Sequence, residues 1–118
     1  MTLPVRPIPK DMAAQCHEPA ANTAAVITLT GRPSMRWLIR TLGWSYSAAP
    51  TGGRIQVAVD GVVLLAFTIT AAGPGALPLE YLAPDGATVV ITVSAGGGVI
   101  TCIANVLAGE MSGSAWEQ

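Results

Sequence analysis

Glycine and proline cut this chain so often that no long helix can form. Ten of the thirteen glycines and four of the nine prolines gather in Gly31-Arg32-Pro33, Ala49-Pro50-Thr51-Gly52-Gly53, Asp60-Gly61, Ala71-Ala72-Gly73-Pro74-Gly75, Pro84-Asp85-Gly86 and Gly96-Gly97-Gly98. Glycine supplies positive φ at no steric cost and proline fixes φ near the turn value, so each cluster reads as a turn or loop. What lies between them are short runs rich in β-branched residues, the texture of strands.

The runs alternate with a period of two. Over residues 23–30, Ala25, Ile27 and Leu29 share one face. Residues 35–47 form the longest strand candidate, with Met35, Trp37, Ile39 and Thr41 on one face. Trp44 and Tyr46 fall on the other parity, which predicts a bulge at Gly43. Residues 54–60 place Ile55, Val57 and Val59 inward, and Asp60-Gly61 is a strong two-residue hairpin signal. Residues 62–70 return with Val63, Leu65, Phe67 and Ile69 on one side, and Pro78 confines the piece at residues 77–82 to an edge or a bend. Residues 88–94 and 99–107 make two further strands about the glycine triplet. Strands at such spacing predict an all-β fold, an antiparallel β-sandwich or jelly roll of about seven or eight strands. The domain spans residues 23–108. It is preceded by an extended Pro-rich N-terminal arm, residues 1–22, and followed by a flexible tail, residues 109–118.

Composition narrows the function classes. The chain is 51% hydrophobic and only 11% charged, against roughly 25% in ordinary soluble domains. That balance excludes intrinsic disorder. A formal net charge of −1 excludes the basic footprint of a nucleic-acid binder. Residues 86–109 carry no charge, yet Gly96, Gly97 and Gly98 sit at their centre, so two strands explain them better than a membrane span. A soluble protein without membrane or nucleic-acid partners is expected. Charge is unevenly shared: Arg6, Lys10, Arg32, Arg36 and Arg40 precede residue 54, while Asp60, Glu80, Asp85, Glu110 and Glu117 follow it. Such asymmetry suits head-to-tail matching between copies, or is chance in a chain with few charges.

No residue set announces a reaction. The only histidine, His17, lies in the arm, where it cannot serve a serine or cysteine nucleophile held on the domain. Asp60, Glu80 and Asp85 all adjoin turns and read as solvated turn residues rather than a carboxylate pair. Cys16 beside His17 offers two ligands where a structural zinc needs four, and Cys102 reads as a small buried hydrophobe. Neither catalysis nor a metal or cofactor is expected. Trp37 reads as core; Trp44 and Tyr46 either stack on a sugar or pack within or between subunits, with packing favoured.

Two strands are apolar on both faces. Val62 and Leu64 lie opposite one inward set, and Val99, Ile103 and Leu107 opposite another. A sandwich has one interior, so a second apolar face predicts a covering surface, here another protein. A dimer or trimer is expected. The arm adds Val5 and Ile8 as apolar anchors with Arg6 and Lys10 as cationic ones, so it reads as a docking segment.

Residues 20–79 also resemble a known class of protein. The segments Ala-Ala-Asn-Thr-Ala-Ala-Val-Ile-Thr-Leu-Thr, Trp-Ser-Tyr-Ser-Ala-Ala-Pro-Thr-Gly-Gly and Thr-Ile-Thr-Ala-Ala-Gly-Pro-Gly look like those of small structural proteins of tailed bacteriophages. They are similar to β-sandwich decoration or cement proteins of the capsid and to head or tail fibre modules. The resemblance covers about half the chain and rests on composition and turns. It implies a non-enzymatic virion subunit on the capsid surface, assembled in the host cytoplasm and bridging copies of the major capsid protein. The alternative is a fibre, receptor-binding or carbohydrate-binding β-sandwich module.

Overall fold

The structure, a computed structural model, describes residues 13–112. Eight strands follow one another without a helix: β1 (Ala13–His17), β2 (Ala25–Leu29), β3 (Met35–Tyr46), β4 (Gly53–Val59), β5 (Val62–Ile69), β6 (Gly73–Leu82), β7 (Val89–Val93) and β8 (Cys102–Ser112). They form two four-stranded antiparallel sheets, β1-β8-β3-β6 (sheet A) and β2-β7-β4-β5 (sheet B). This interleaved order is that of a jelly roll, so the expected β-sandwich is the fold.

The core lies between the sheets and follows the alternation. Ala25, Ile27 and Leu29 of β2, Ile55 and Val57 of β4, and Val89, Ile91 and Val93 of β7 are buried on the inner face of sheet B. Facing them from sheet A are Ile39, Leu42 and Tyr46 of β3 with Cys102, Ala104, Val106 and Ala108 of β8. Among the described residues no polar or charged residue is buried in this core. Tyr46 reaches across it with its hydroxyl: Oη donates to the Ser94 carbonyl at 2.8 Å and accepts the Arg54 N–H at 3.3 Å.

Several expected positions shift. The bulge in β3 lies at Arg40, not Gly43: the registers with both β6 and β8 skip from Ile39 to Thr41. The extra residue returns Leu42, Trp44 and Tyr46 to the face already occupied by Ile39, and Thr41 turns outward. A second bulge lies in the β4–β5 pair between Val57 and Ala58. Beyond it Val62 stands opposite Val59 and Val63 opposite Ala58, so Val63 leaves the side shared by Leu65, Phe67 and Ile69. Strand β1 falls inside the segment expected to be an unpaired arm and pairs with β8 over its whole length. Strand β8 starts at Cys102 and runs to Ser112, past the expected boundary of the tail, while Val99 belongs to the preceding turn. Val5, Arg6, Ile8 and Lys10 lie outside the described residues.

Charges of the two chain halves meet within one molecule. Arg32 grips Glu110 through two parallel bonds of 2.8 and 2.9 Å, and Arg40 stands 3.4 Å from Glu80. Part of the expected head-to-tail matching is therefore met inside the chain.

Candidate functional site: an uncharged sheet face

The register of sheet A lines up Cys16, Asn105, Gly43 and Ala76 in one row across β1, β8, β3 and β6. The next row holds Ala14, Leu107, Thr41 and Pro78. Both point away from the core, because their chain neighbours Ala104, Val106 and Leu42 are buried in it. None of these residues carries a charge. Gly43 makes the centre shallow: a depression of about 150 Å³ is lined by Ala14, Thr41, Gly43, Asn105, Val106 and Leu107. A Cβ at position 43 would stand 3.2 Å from that of Asn105, so almost any side chain there closes the hollow. The exposed Asn105 amide is bonded to no other described residue, which leaves it and the Thr41 hydroxyl as polar groups beside an apolar floor.

Interface residues expected from the sequence divide between two places. Ile103 and Leu107 are half-buried on the outer face of β8, and Leu107 lines this depression. Val62 and Leu64 are exposed on β5, at the free edge of sheet B. Val99 stands alone in its turn, 89% exposed. These residues do not form one patch. Phe67 also belongs to the exposed set although its register, opposite Ile55, puts it on the inner face. Edge strand β5 has no strand laid fully over it, and alternation within one strand does not reveal that.

The aromatic pair takes the packing role. Tyr46 is buried and bonded as above, and the Trp44 ring lies over Gly75 so closely that a Cβ there would run into it. Trp37 packs against the core and donates from Nε1 to the Thr30 carbonyl at 3.0 Å. Neither Trp44 nor Tyr46 forms an outward platform. His17, on the inner side of β1, links the two sheets: its Nδ1 accepts the Val26 N–H at 3.0 Å. Cys102 donates its thiol to the Thr23 carbonyl at 3.1 Å, and burial pushes its pKa up. Among the described residues no three His, Cys, Asp or Glu side chains gather where a metal could sit, and no helix is long and apolar enough to cross a membrane.

No protein-family profile matches the chain, and no curated protein matches it in sequence. Solved structures do resemble it in shape. A family 16 carbohydrate-binding module superposes with a TM-score of 0.47 at 8% identity, covering 80% of this chain and 74% of that one. The carbohydrate-binding module CBM36, solved with calcium and xylotriose, gives 0.44 at 12% identity over 87% of this chain and 93% of that one. An insecticidal delta-endotoxin of Bacillus thuringiensis gives 0.45 at 10% identity, with 77% of this chain on 19% of the toxin. At this distance the shared property is the antiparallel β-sandwich.

Proposed function

We propose that the chain is a non-catalytic β-sandwich binding module whose recognition face is the outer face of sheet A. The observation that carries this is the uncharged pair of rows across β1, β8, β3 and β6, hollowed at Gly43 and flanked by Asn105 and Thr41. Apolar floors with a few placed polar groups are the usual make-up of ligand sites. The hollow has the volume of a single small ring rather than of a long chain. Of the ligand classes weighed from the sequence, a carbohydrate or receptor-type ligand comes first. Carbohydrate-binding modules recur among the structural neighbours. That likeness speaks for fold alone, so the ligand assignment rests on the hollow.

Capsid decoration is the second reading, favoured by the scarcity of charge and by the apolar strands β5 and β8. A panel of immobilised polysaccharides, probed with the wild type and with Asn105→Ala, separates the two. Saturable binding, weakened about tenfold or more by the loss of one hydrogen-bonding amide, supports the carbohydrate reading. Absence of binding to every polysaccharide, together with tight binding to phage heads, would replace it with the decoration reading.

A further inference from the structure

Strand β5 is an edge with one bulge, between Val63 and Leu65, and none of the other devices that keep sheet edges apart. It ends sheet B, so one row of its main-chain donors and acceptors has no neighbouring strand among the described residues. Its sequence, Val-Val-Leu-Leu-Ala-Phe-Thr-Ile, holds no charge, proline or glycine. Four of the six exposed large hydrophobic residues among those described lie on it: Val62 (70%), Val63, Leu64 and Phe67 (44%). The other three edges are blunted. Strands β1 and β2 have five residues each. Strand β6 carries Pro74 and Pro78, which donate no N–H, and breaks its register near Glu80, whose φ is +49°. Short strands, prolines and bulges are how proteins deter edge pairing, and a long, apolar, uncharged edge invites it.

The geometry points to a second copy of this chain as the occupant, joined through an antiparallel β5–β5 seam about a two-fold axis. Charge supports that sense of pairing. Asp60 precedes the start of β5, and Arg54, exposed on β4, stands opposite Thr68 near its end. Antiparallel pairing brings the Asp60 end of each copy towards the Arg54 end of the other, whereas parallel pairing would set like ends together. An axis normal to the sheets keeps inner face beside inner face, so Leu65 and Phe67 of the two copies meet under the seam.

Eight residues extend about 26 Å, and one layer with its side chains makes an edge about 10 Å deep, so the seam is small and rests on main-chain hydrogen bonds as much as on apolar burial. The sequence left dimer and trimer open; an isologous edge selects the dimer. The seam leaves the outer face of sheet A free.

Sedimentation velocity of the full chain across the micromolar range tests the inference. The wild type is expected to sediment as a dimer. Leu64→Lys combined with Ala66→Lys, both at exposed positions, is expected to give a monomer with its thermal transition retained, the dissociation constant rising about a hundredfold or more. Val26→Lys, on the edge strand β2, should leave the dimer intact. Arg54→Glu should weaken it severalfold at low salt and less at high salt. A wild-type monomer, a trimer, or a dimer that survives the double lysine variant would overturn the seam, and an inert Arg54→Glu would overturn its antiparallel sense. Polysaccharide binding by a monomeric variant would leave the proposed function standing, and a dimer blind to every polysaccharide would leave the seam standing.

Discussion

Tyr46 shows how one hydroxyl can hold two sheets in alignment. Its Oη donates to the carbonyl of Ser94, just past the end of β7, and accepts from the backbone of Arg54 in β4, and Ser94 Oγ in turn donates to the Gly52 carbonyl at 3.1 Å. Tyr46→Phe keeps the ring but leaves a carbonyl and an N–H without a partner, and is expected to cost about 1–2 kcal/mol, read as a lower urea midpoint at unchanged m. At Gly75 a methyl group would strike the Trp44 ring, so Gly75→Ala should cost about 1–3 kcal/mol through overpacking in the same assay.

Cys102 makes a third prediction at this scale. Burial first, opposed by backbone hydrogen bonds, raises its thiol pKa above the ordinary value. A raised folded-state pKa gives stability that is complete below the unfolded thiol's value, about 8.5, and is lost as pH rises through the folded one. Urea midpoints should therefore fall more steeply above that pH in the wild type than in Cys102→Ala. In native protein a thiol reagent should titrate the exposed Cys16 and spare Cys102.

Among the elements, the β4–β5 hairpin is specified twice. Asp60 and Gly61 take φ values of +49° and +81°, both positive as a type I′ turn requires. The Asp60 carboxylate then accepts the Thr88 N–H at 3.0 Å while its own N–H donates to the Thr88 carbonyl at 2.9 Å, tying the turn to the approach to β7. Asp60→Ala loses the side-chain bond and the tolerance of positive φ, and is expected to cost about 1–2 kcal/mol in thermal or urea unfolding. Asp60→Asn keeps both and should cost about half as much or less.

For the whole molecule, the jelly-roll order sets the pace of folding. Strand β2 must find β7, and β3 must find β8 across the length of the chain, before either sheet closes. Long loops closed before contacts reward them make such topologies slow, so stopped-flow refolding is expected on the millisecond-to-second scale. Charges far apart in sequence are brought together only at that stage. Arg32–Glu110 is a two-bond pair with Glu110 mostly shielded, so it orders the end of β8 more firmly than a single exposed contact would.

The all-β class, the inner residues of β2, β4 and β7, and the Asp60-Gly61 turn were legible in the residues alone, because alternation and turn chemistry are local. Bulges were less so. A bulge at Arg40 and one at Gly43 both restore Trp44 and Tyr46 to a common face, and only pairing with β6 and β8 chooses between them. The candidate site could not be read at all: Cys16, Asn105, Gly43 and Ala76 are scattered along the chain and become a row only through register. Likewise, alternation assigned Phe67 to the interior, and the position of β5 at the edge of its sheet left it 44% exposed. Which face a residue takes is set by its neighbours in sequence; whether anything covers that face is set by strands distant in sequence, and so by the tertiary structure.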